Sequence, residues 1–241
     1  YLGASSELRI PRNPELWTDL VVTECLGCKR SSSCSECGKF NEIDFSQMAA
    51  FVFEPGNSGG LVLCPPEKLI EFLSEKVRNA EGFIIANEVT TGFGRTGKWF
   101  GFQHHEFFNS QENSPDFIAL GKGLGNGYPI SGLLVRSPLA EAVEATGFRY
   151  VQSHTDDPLG CIVSRKVVEI MLKEELVERG NITGEYFRYK LGEIAESTDG
   201  ISAIRGRGMM NVVVLKENHK AKEVFCELLK QGFFTGYSEI Y

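Results

Sequence analysis

The feature that most limits the fold of this chain is a short apolar segment that recurs between polar or helical stretches. The segments AAFVFEP (Ala49–Pro55) and GFIIANE (Gly82–Glu88) are short and apolar at nearly every position, which is typical of strands buried on both faces. Between them, PPEKLIEFLSEKVRNA (Pro65–Ala80) begins with prolines and then places apolar residues at helical spacing. These segments therefore predict a strand–helix–strand unit.

Two later segments, FIALGK (Phe117–Lys122) and ISGLLVRS (Ile130–Ser137), are predicted as further strands of the same sheet. Strands that alternate with helices favour an α/β fold with a mostly parallel sheet covered by helices on both faces. We therefore expect residues 1–158 to form part of a large domain.

The sequence pattern changes after about Pro158. A strand interrupted by Arg-Gly pairs and three helices are predicted, so residues 159–241 are expected to begin a smaller α+β domain. The predicted helices are Cys161–Gly180, Ile182–Thr198 and His219–Gly232, and the predicted strand is Ile201–Lys216.

The composition limits the classes of binding partner and the cellular compartment that we expect. A formal net charge of −7 disfavours nucleic acid and anionic membranes as partners, and no apolar run reaches the roughly 18 residues that a membrane helix needs. Seven cysteines without a secretory signal indicate a reducing compartment, so we expect a cytoplasmic protein, although the chain begins with Tyr1 rather than Met. Cys64, Cys161 and Cys226 lie in apolar contexts and are predicted to be buried.

The other four cysteines form two CxxC pairs in ECLGCKRSSSCSECG, at Cys25, Cys28, Cys34 and Cys37. Four thiolates at such spacing suit a structural zinc ion or an iron–sulfur centre. The gap between the pairs is shorter than in most zinc ribbons, so two local disulfides or free thiols stay open as alternatives.

A single lysine, Lys122, lies among glycines in ALGKGLGNGYPISG (Ala119–Gly132), directly after a predicted strand. A poorly hydrated lysine close to backbone has a lowered pKa, and its amine can form a Schiff base with a carbonyl compound. Alternatively, its stem packs on the sheet edge while its amine reaches water. A phosphate-binding loop is the third possibility, but the Walker pattern is absent.

Several segments around this lysine together resemble one family. YLGAS, FVFEPG, NEVTTGFGRTGKWFGF, PDFIALGKGLGNGYPISG, SHTDDPLGC and IRGRGMM occur in the order found in class III pyridoxal-phosphate-dependent aminotransferases. The resemblance covers almost the whole chain and implies the fold of aspartate aminotransferase, a homodimer, and pyridoxal 5'-phosphate as cofactor. It implies transfer of an amino group from a donor amine or amino acid to a 2-oxo acid. It also implies that an N-terminal phosphate-binding loop and a C-terminal substrate-binding arginine of the family lie outside this sequence.

The same resemblance assigns roles to individual residues. Lys122 matches the lysine that forms the Schiff base with the cofactor, and Tyr1 matches an aromatic residue that stacks on the cofactor ring. Thr155 matches a threonine that binds the cofactor phosphate in the neighbouring subunit, and Glu54 matches an acidic residue near the active site. Other readings stay open: Tyr1 as a core residue, Thr155 as a helix N-cap, and Glu54 as a strand-end charge.

Two positions depart from the family pattern. Asn87 stands where the family has an aspartate that pairs with the protonated ring nitrogen of the cofactor, and a neutral amide cannot hold that proton by charge. The adjacent Glu88 should point to the opposite side of the strand. Gly59 stands where ornithine- and GABA-type members have a glutamate, which argues against those two subgroups.

An insertion, HHEFFNSQENS, begins at His104 and is longer than usual for the family. His104 and His105 are predicted to be surface residues rather than ligands.

Three functional hypotheses follow from the sequence. The first is a pyridoxal-phosphate-dependent aminotransferase, and the second is a cofactor-binding but weakly active relative in which Asn87 weakens the chemistry. The third is a non-enzymatic interaction module built around the four-cysteine segment.

Overall fold

The computed structural model of the chain describes residues 45–56, 62–217 and 220–238. These residues contain a four-stranded sheet in which β1, β2 and β3 are parallel and β4 is antiparallel to β3. The strands are β1 (Ala50–Phe53), β2 (Phe83–Asn87), β3 (Phe117–Leu120) and β4 (Gly132–Val135), and they are neighbours in that order. The predicted mostly parallel sheet is confirmed, with strands slightly shorter than their apolar segments.

The core lies between this sheet and helix α1 (Glu67–Asn79). The buried side chains of α1 include Ile70 and Val77, which recur at helical spacing and lie on one face of the helix. They pack against the alternate residues of β1 and β2 that lie on the α1 side of the sheet, namely Phe51, Phe53, Ile84 and Ala86. The predicted strand–helix–strand unit is thus confirmed, and it supplies the core cluster.

The opposite face of the sheet is open among the described residues. Val52, Phe83 and Leu133 lie on that face by strand alternation and register, and their exposed fractions are 54%, 40% and 57%. A parallel sheet is normally covered on both faces. The α/β architecture is confirmed, but helix cover in the described part of the chain is clear only on the α1 side.

The helices that follow the sheet differ from the prediction in number and in bounds, and the first of them, α2, was not predicted. They are α2 (Ser137–Ala145), α3 (Pro158–Lys173) and α4 (Leu176–Ser197). A single helix over Cys161–Gly180 is therefore wrong: α3 ends at Lys173, and Gly180 lies inside α4. The break is Glu175, whose left-handed φ of 52° is unusual for a glutamate, so no glycine or proline marks it in the sequence.

The segment predicted as an interrupted strand is an antiparallel hairpin of β5 (Ile201–Arg207) and β6 (Met210–Leu215). Gly208 occupies the turn with a positive φ of 52°. The last predicted helix is confirmed as α5 (Ala221–Lys230). The division into domains at residue 158 stays a prediction.

The hairpin turn docks on the loop that follows β2. The N–H of Met209 donates to the carbonyl oxygen of Arg95 at 3.0 Å, and Nη1 of Arg188 donates to the carbonyl oxygen of Gly208 at 2.7 Å. A Cβ atom added to Gly184 of α4 would collide with the carbonyl group of Gly208. Glycine at this position therefore permits the close approach of α4, the turn and the loop.

Two of the three isolated cysteines are not buried as predicted. Cys161 and Cys226 are exposed and Cys64 is half-buried. Helix α3 buries only Gly160 and Met171 among the described residues, so an apolar context around Cys161 did not translate into burial. Within the same residues, no helix is both long enough and apolar enough to cross a membrane.

Candidate active site

Three of the predicted site residues lie at the carboxyl ends of neighbouring parallel strands. Glu54 directly follows β1, Asn87 is the last residue of β2, and Lys122 comes two residues after β3. The carboxyl ends of parallel strands meet at one edge of a sheet, which is where α/β proteins bind ligands. We call Glu54, Asn87, Lys122 and the adjoining Thr90 the strand-end cluster.

The side chain of Asn87 is fixed by two hydrogen bonds. Its Nδ2 donates to Oε1 of Glu54 at 3.2 Å, and its Oδ1 accepts from the N–H of Val89 at 3.2 Å. The second hydrogen of the amide has no partner among the described residues. Asn87 is half-buried, so this remaining donor is available to a ligand at the strand ends.

The amine of Lys122 is held by a hydroxyl group. Nζ donates to Oγ1 of Thr90 at 2.6 Å, which directs the amine towards the loop after β2. Lys122 has a positive φ of 38°, and Cβ atoms added to its neighbours Gly121 and Gly123 would lie only 3.2 Å from the Val89 side chain and 3.1 Å from the Phe93 side chain, so the glycines permit close packing of this loop. The described residues leave the side chain exposed, because they do not cover the carboxyl ends of the strands; the expected poor hydration is not seen among them.

Thr90 is a functional candidate that the sequence reasoning missed. It lies three residues after Asn87, in the loop that leaves the same sheet edge, and that position was the signal available in the sequence. The geometry makes Thr90 the nearest described partner of the Lys122 amine.

Glu88 points away from the strand-end cluster, as its alternation with Asn87 predicts. Its carboxylate is fully buried and accepts three hydrogen bonds, from the Thr91 hydroxyl at 2.6 Å and from two backbone N–H groups. Those N–H groups belong to Gly101 at 2.8 Å and Phe102 at 2.7 Å. Burial raises the pKa of Glu88, and the three hydrogen bonds oppose that rise. The side chain therefore braces the start of the loop that carries Thr90.

Thr155 lies in the turn before α3. Its Oγ1 accepts from the N–H of Gln152 at 3.2 Å, and the residue is exposed. The helix N-cap is Asp157, whose Oδ1 accepts from the N–H of Leu159 at 3.3 Å, so the capping alternative for Thr155 is wrong. No described contact joins Thr155 to the strand-end cluster, and its role as a phosphate ligand stays a prediction.

The two histidines of the insertion are not surface residues. His105 is 1% exposed and lies edge-on to Phe53 and Phe108, while His104 is half-buried with Nε2 at 3.0 Å from the carbonyl oxygen of Thr96. Burial lowers the pKa of each imidazole to about 4, with a contribution from the nearby Arg207 charge. The prediction failed because the aromatic residues of the insertion fold inwards and join the core.

Several sequence-based predictions fall outside the described residues. They are the stacking role of Tyr1, the departure at Gly59, and the metal or disulfide site of Cys25, Cys28, Cys34 and Cys37. Among the residues that the structure does describe, no group of histidine, cysteine, aspartate or glutamate side chains could hold a metal ion.

An amine, an oriented amide and a carboxylate at the carboxyl edge of a parallel sheet define an α/β protein with a nucleophile-bearing ligand site. The sequence profile described as Aminotransferase class-III matches residues 25–239. The chain therefore belongs to the class III aminotransferase family, as its motifs indicated, although the match begins after YLGAS.

Individual relatives agree with this assignment. The putrescine–pyruvate aminotransferase of Pseudomonas aeruginosa is 31% identical over 192 residues, which cover 78% of this chain and 41% of the relative. The acetylornithine aminotransferase of Methanothermobacter thermautotrophicus is 33% identical over 164 residues, which cover 68% of this chain and 40% of the relative. The chain thus spans about two fifths of the length of these curated relatives.

Solved structures show the same fold. A transaminase from the marine bacterium Virgibacillus matches with a TM-score of 0.73 at 26% identity, over 83% of this chain and 47% of that one. The ornithine aminotransferase of Toxoplasma gondii matches with a TM-score of 0.69 at 28% identity, over 79% of this chain and 44% of that one. The structure of that enzyme has pyridoxal phosphate at partial occupancy in its active site.

Proposed function

We propose that this chain provides the lysine-bearing part of a pyridoxal-phosphate-dependent aminotransferase that transfers an amino group from a donor amine or amino acid to a 2-oxo acid. The observation that carries the proposal is the strand-end cluster, in which Asn87 ends β2 and Lys122 follows the neighbouring parallel strand β3 at the same edge of the sheet. Membership of the class III family supports the reaction type.

The side chains of the cluster fit this cofactor. Lys122 offers a primary amine, and Asn87 keeps one amide hydrogen free for a ring nitrogen. When bound, pyridoxal phosphate supplies a carbonyl carbon for an amine to attack and a ring that accepts electrons from a substrate bond as it breaks.

Each residue of the cluster then has a definite task. Thr90 orients Nζ of Lys122, which acts first as the nucleophile. When a substrate amine occupies the cofactor, the free Nζ of Lys122 would serve as a general base and acid that takes a proton from the substrate Cα and returns it. Glu54 holds the Asn87 amide in its orientation.

The neutral amide of Asn87 favours a second candidate, a cofactor-binding protein of low activity. An amide cannot hold a proton on a ring nitrogen by charge, so the ring withdraws electrons less strongly. Both candidates share the amine of Lys122 and differ in the rate of proton transfer.

The remaining roles belong to the same proposal and rest on the family resemblance. Thr155 would bind the cofactor phosphate in the neighbouring subunit of a homodimer, and Tyr1 would stack on the cofactor ring. We also propose a reducing, cytoplasmic compartment, which is supported by the three free cysteines among the described residues. The four-cysteine segment would hold a structural zinc ion away from the amine.

Borohydride reduction of the full-length protein with pyridoxal phosphate tests the proposal. We expect a fixed cofactor adduct, detected by absorbance and mapped by mass spectrometry, on the peptide that contains Lys122. The Lys122→Ala variant should lose the adduct. Lys98→Ala is the matched control and should keep the adduct, because the amine of Lys98 donates to the carbonyl oxygen of Gln103 at 2.8 Å and is not part of the strand-end cluster. An adduct on another lysine in the wild type would contradict the assignment.

A half-reaction with an amine donor separates the two candidates. Mixing the cofactor-loaded protein with excess donor should convert the cofactor to its amine form within one turnover if the protein is an aminotransferase. A fixed adduct at Lys122 without this conversion would support the low-activity candidate instead.

A further inference from the structure

A side-chain hydrogen bond joins the loop that carries Lys122 to the turn before α3. Oη of Tyr128 donates to Oδ2 of Asp157 at 2.8 Å. Tyr128 lies six positions after Lys122, and Asp157 lies two positions after Thr155. The bond therefore connects the segment of the proposed Schiff-base lysine to the segment of the proposed phosphate ligand, and neither partner belongs to the strand-end cluster.

The loop from Lys122 to Tyr128 is folded tightly on itself. The carbonyl oxygen of Lys122 accepts from the N–H groups of Gly125 and Asn126, each at 3.1 Å. The N–H of Tyr128 in turn donates to the carbonyl oxygen of Gly125 at 3.0 Å, and a Cβ atom on Gly125 would collide with the carbonyl oxygen of Tyr128. Because these turns follow one another directly, a shift of Tyr128 is passed on to the backbone of Lys122.

The carboxylate of Asp157 has a separate task for each of its oxygens. Oδ1 accepts from the N–H of Leu159 at 3.3 Å and caps α3, while Oδ2 accepts from Tyr128. The N–H of Asp157 donates to the carbonyl oxygen of His154 at 3.4 Å, within the turn that contains Thr155. One side chain thus ties the lysine loop, this turn and the start of the helix together.

Packing around the hydrogen bond brings the loop and the helix close together. Gly160 is buried in the first turn of α3, where an added Cβ atom would lie 3.0 Å from Cδ1 of Ile130 and 3.5 Å from Cε1 of Tyr128. The hydrogen bond raises the pKa of the Tyr128 hydroxyl and lowers the pKa of the Asp157 carboxyl. A neutral phenol therefore donates to a charged carboxylate near pH 7, and hydrogen bonds of this type are stronger than neutral ones.

We propose that Tyr128 is a positioning residue for Lys122. Its hydrogen bond to Asp157 holds the lysine loop against the turn of Thr155, so that the Lys122 amine stays where Thr90 orients it. The inference rests on the proposed function, because it concerns the rate at which the amine reacts with the cofactor. A nucleophile held in place reacts faster than one that must first find its position.

The rate of adduct formation at Lys122 tests this role. Cofactor-free full-length protein is mixed with pyridoxal phosphate and quenched with borohydride at increasing times, and mass spectrometry measures the adduct on the Lys122 peptide. Repeating this at several cofactor concentrations separates the limiting rate at saturation from the concentration at half-saturation. We expect Tyr128→Phe to lower the limiting rate about tenfold, the scale of one lost hydrogen bond to a charged group.

Two further variants separate positioning from helix capping. Asp157→Ser keeps a good N-cap residue for the N–H of Leu159 but is too short to reach the Tyr128 hydroxyl, so it should lower the limiting rate as Tyr128→Phe does. The double variant should be no slower than either single one, because both remove the same bond. Tyr189→Phe is the matched control: Tyr189 donates to Oε1 of Glu193 at 3.1 Å within α4, and its loss should leave the rate unchanged.

Hydrogen exchange of the cofactor-free protein gives a readout that does not depend on the proposed function. The N–H groups of Gly125 and Asn126 should exchange about tenfold faster in Tyr128→Phe than in the wild type, and at the wild-type rate in Tyr189→Phe. A wild type that forms no adduct at Lys122 would contradict the proposed function, and exchange would still decide whether Tyr128 holds the loop. Unchanged exchange at these two groups in Tyr128→Phe, or an unchanged limiting rate, would overturn the inference.

Discussion

Two adjacent residues at the end of β2 serve different regions of the molecule. Asn87 belongs to the strand-end cluster, is half-buried and keeps hydrogen-bonding capacity for a ligand. Glu88 lies on the opposite side, is fully buried and has its carboxylate saturated by three donors. A polar group with capacity to spare is suited to chemistry, whereas a saturated one is suited to holding the chain in place.

The largest effect on stability is expected from removing the Glu88 carboxylate. Glu88→Ala leaves the N–H groups of Gly101 and Phe102 buried without an acceptor and should lower the free energy of unfolding by about 4 kcal/mol. Urea unfolding of the cofactor-free protein measures this loss. The effect should reach the site as well, because the loop that Glu88 braces carries Thr90.

Glu88→Gln is the control for this comparison. The amide oxygen can still accept from Thr91 and Gly101, while its NH2 group would face the N–H of Phe102. We therefore expect Glu88→Gln to lower the free energy of unfolding by about half as much as Glu88→Ala. If alanine cost less than about 1 kcal/mol, Glu88 would not be a brace, and the contrast with Asn87 would fail.

A second pair of variants tests whether the stability of the protein also depends on the contact between α4 and the turn of the hairpin. Gly184→Ala places a Cβ atom against the carbonyl group of Gly208 and should lower the free energy of unfolding by about 2–3 kcal/mol through forced separation of α4 and the turn.

Gly192→Ala lies in the same helix, and a Cβ atom there meets nothing within 4 Å. It should stabilise the protein by about 0.5–1 kcal/mol, since alanine favours a helix interior. Chemical denaturation of the two variants side by side measures the difference. Equal effects would show that the turn does not rest on α4.

The sequence predicted the sheet because its strands give local signals, whereas the roles of Glu54, Asn87 and Lys122 came from the family resemblance and stay predictions. Apolar runs with a helix between them indicate parallel strands, and parallel strands bring Glu54, Asn87 and Lys122 to one edge whatever the details of packing. Asn87 and Glu88 were assigned to opposite sides by alternation alone, and the structure agrees.

What the sequence did not predict depends on long-range contacts. The burial of His105 arises from packing against Phe53, about fifty positions earlier in the chain. The helix break at Glu175 involves a residue that rarely adopts a left-handed φ, and Thr90 became a candidate only through its distance to Nζ of Lys122. None of these leaves a periodic or compositional trace.

The buried imidazole of His105 makes the stability of the folded protein depend on pH. The pKa of His105 is about 4 in the folded protein, against 6.5 ordinarily, so the unfolded chain takes up a proton first as the pH falls. The stability contributed by neutral His105 is complete above pH 6.5 and is lost between about pH 6.5 and 4.

This loss can be measured by urea unfolding at two pH values. Between pH 7 and pH 5 it should amount to about 2 kcal/mol for His105, with a smaller further loss from the half-buried His104, and the charges of Arg207 and Glu67 modify it. His105→Phe should remove the part that belongs to His105, which is half or more of the pH dependence. An unchanged slope in that variant would assign the acid sensitivity to other groups.

The smallest effect on stability, and the sharpest test of the comparison, comes from Asn87→Asp. In the wild type the Asn87 amide donates to Oε1 of Glu54 at 3.2 Å, so a carboxylate at this position would meet a like charge. Repulsion raises the pKa of one of the two acids. The folded protein then holds a proton that the unfolded chain has released, and stability is lost as the pH rises from about 4.

We expect the Asn87→Asp variant to be about 1 kcal/mol less stable than the wild type at pH 7 and to recover that loss near pH 4. The double variant Asn87→Asp, Glu54→Gln removes the like charge and should recover the lost stability at pH 7.

The effect of Asn87→Asp on the chemistry should be opposite in sign, because a carboxylate can hold the ring-nitrogen proton of a bound cofactor by charge. The rate of proton removal from the substrate Cα should therefore rise, by tenfold for each 1.4 kcal/mol of added stabilisation. Single-turnover measurements on the cofactor-loaded full-length protein compare wild type, the single variant and the double variant. Faster proton transfer in the double variant than in the wild type would show that the amide limits the chemistry. An equal or slower rate would show that Asn87 and Glu54 form an adapted pair, in which the spare capacity of the amide is the functional feature and a charge is not needed.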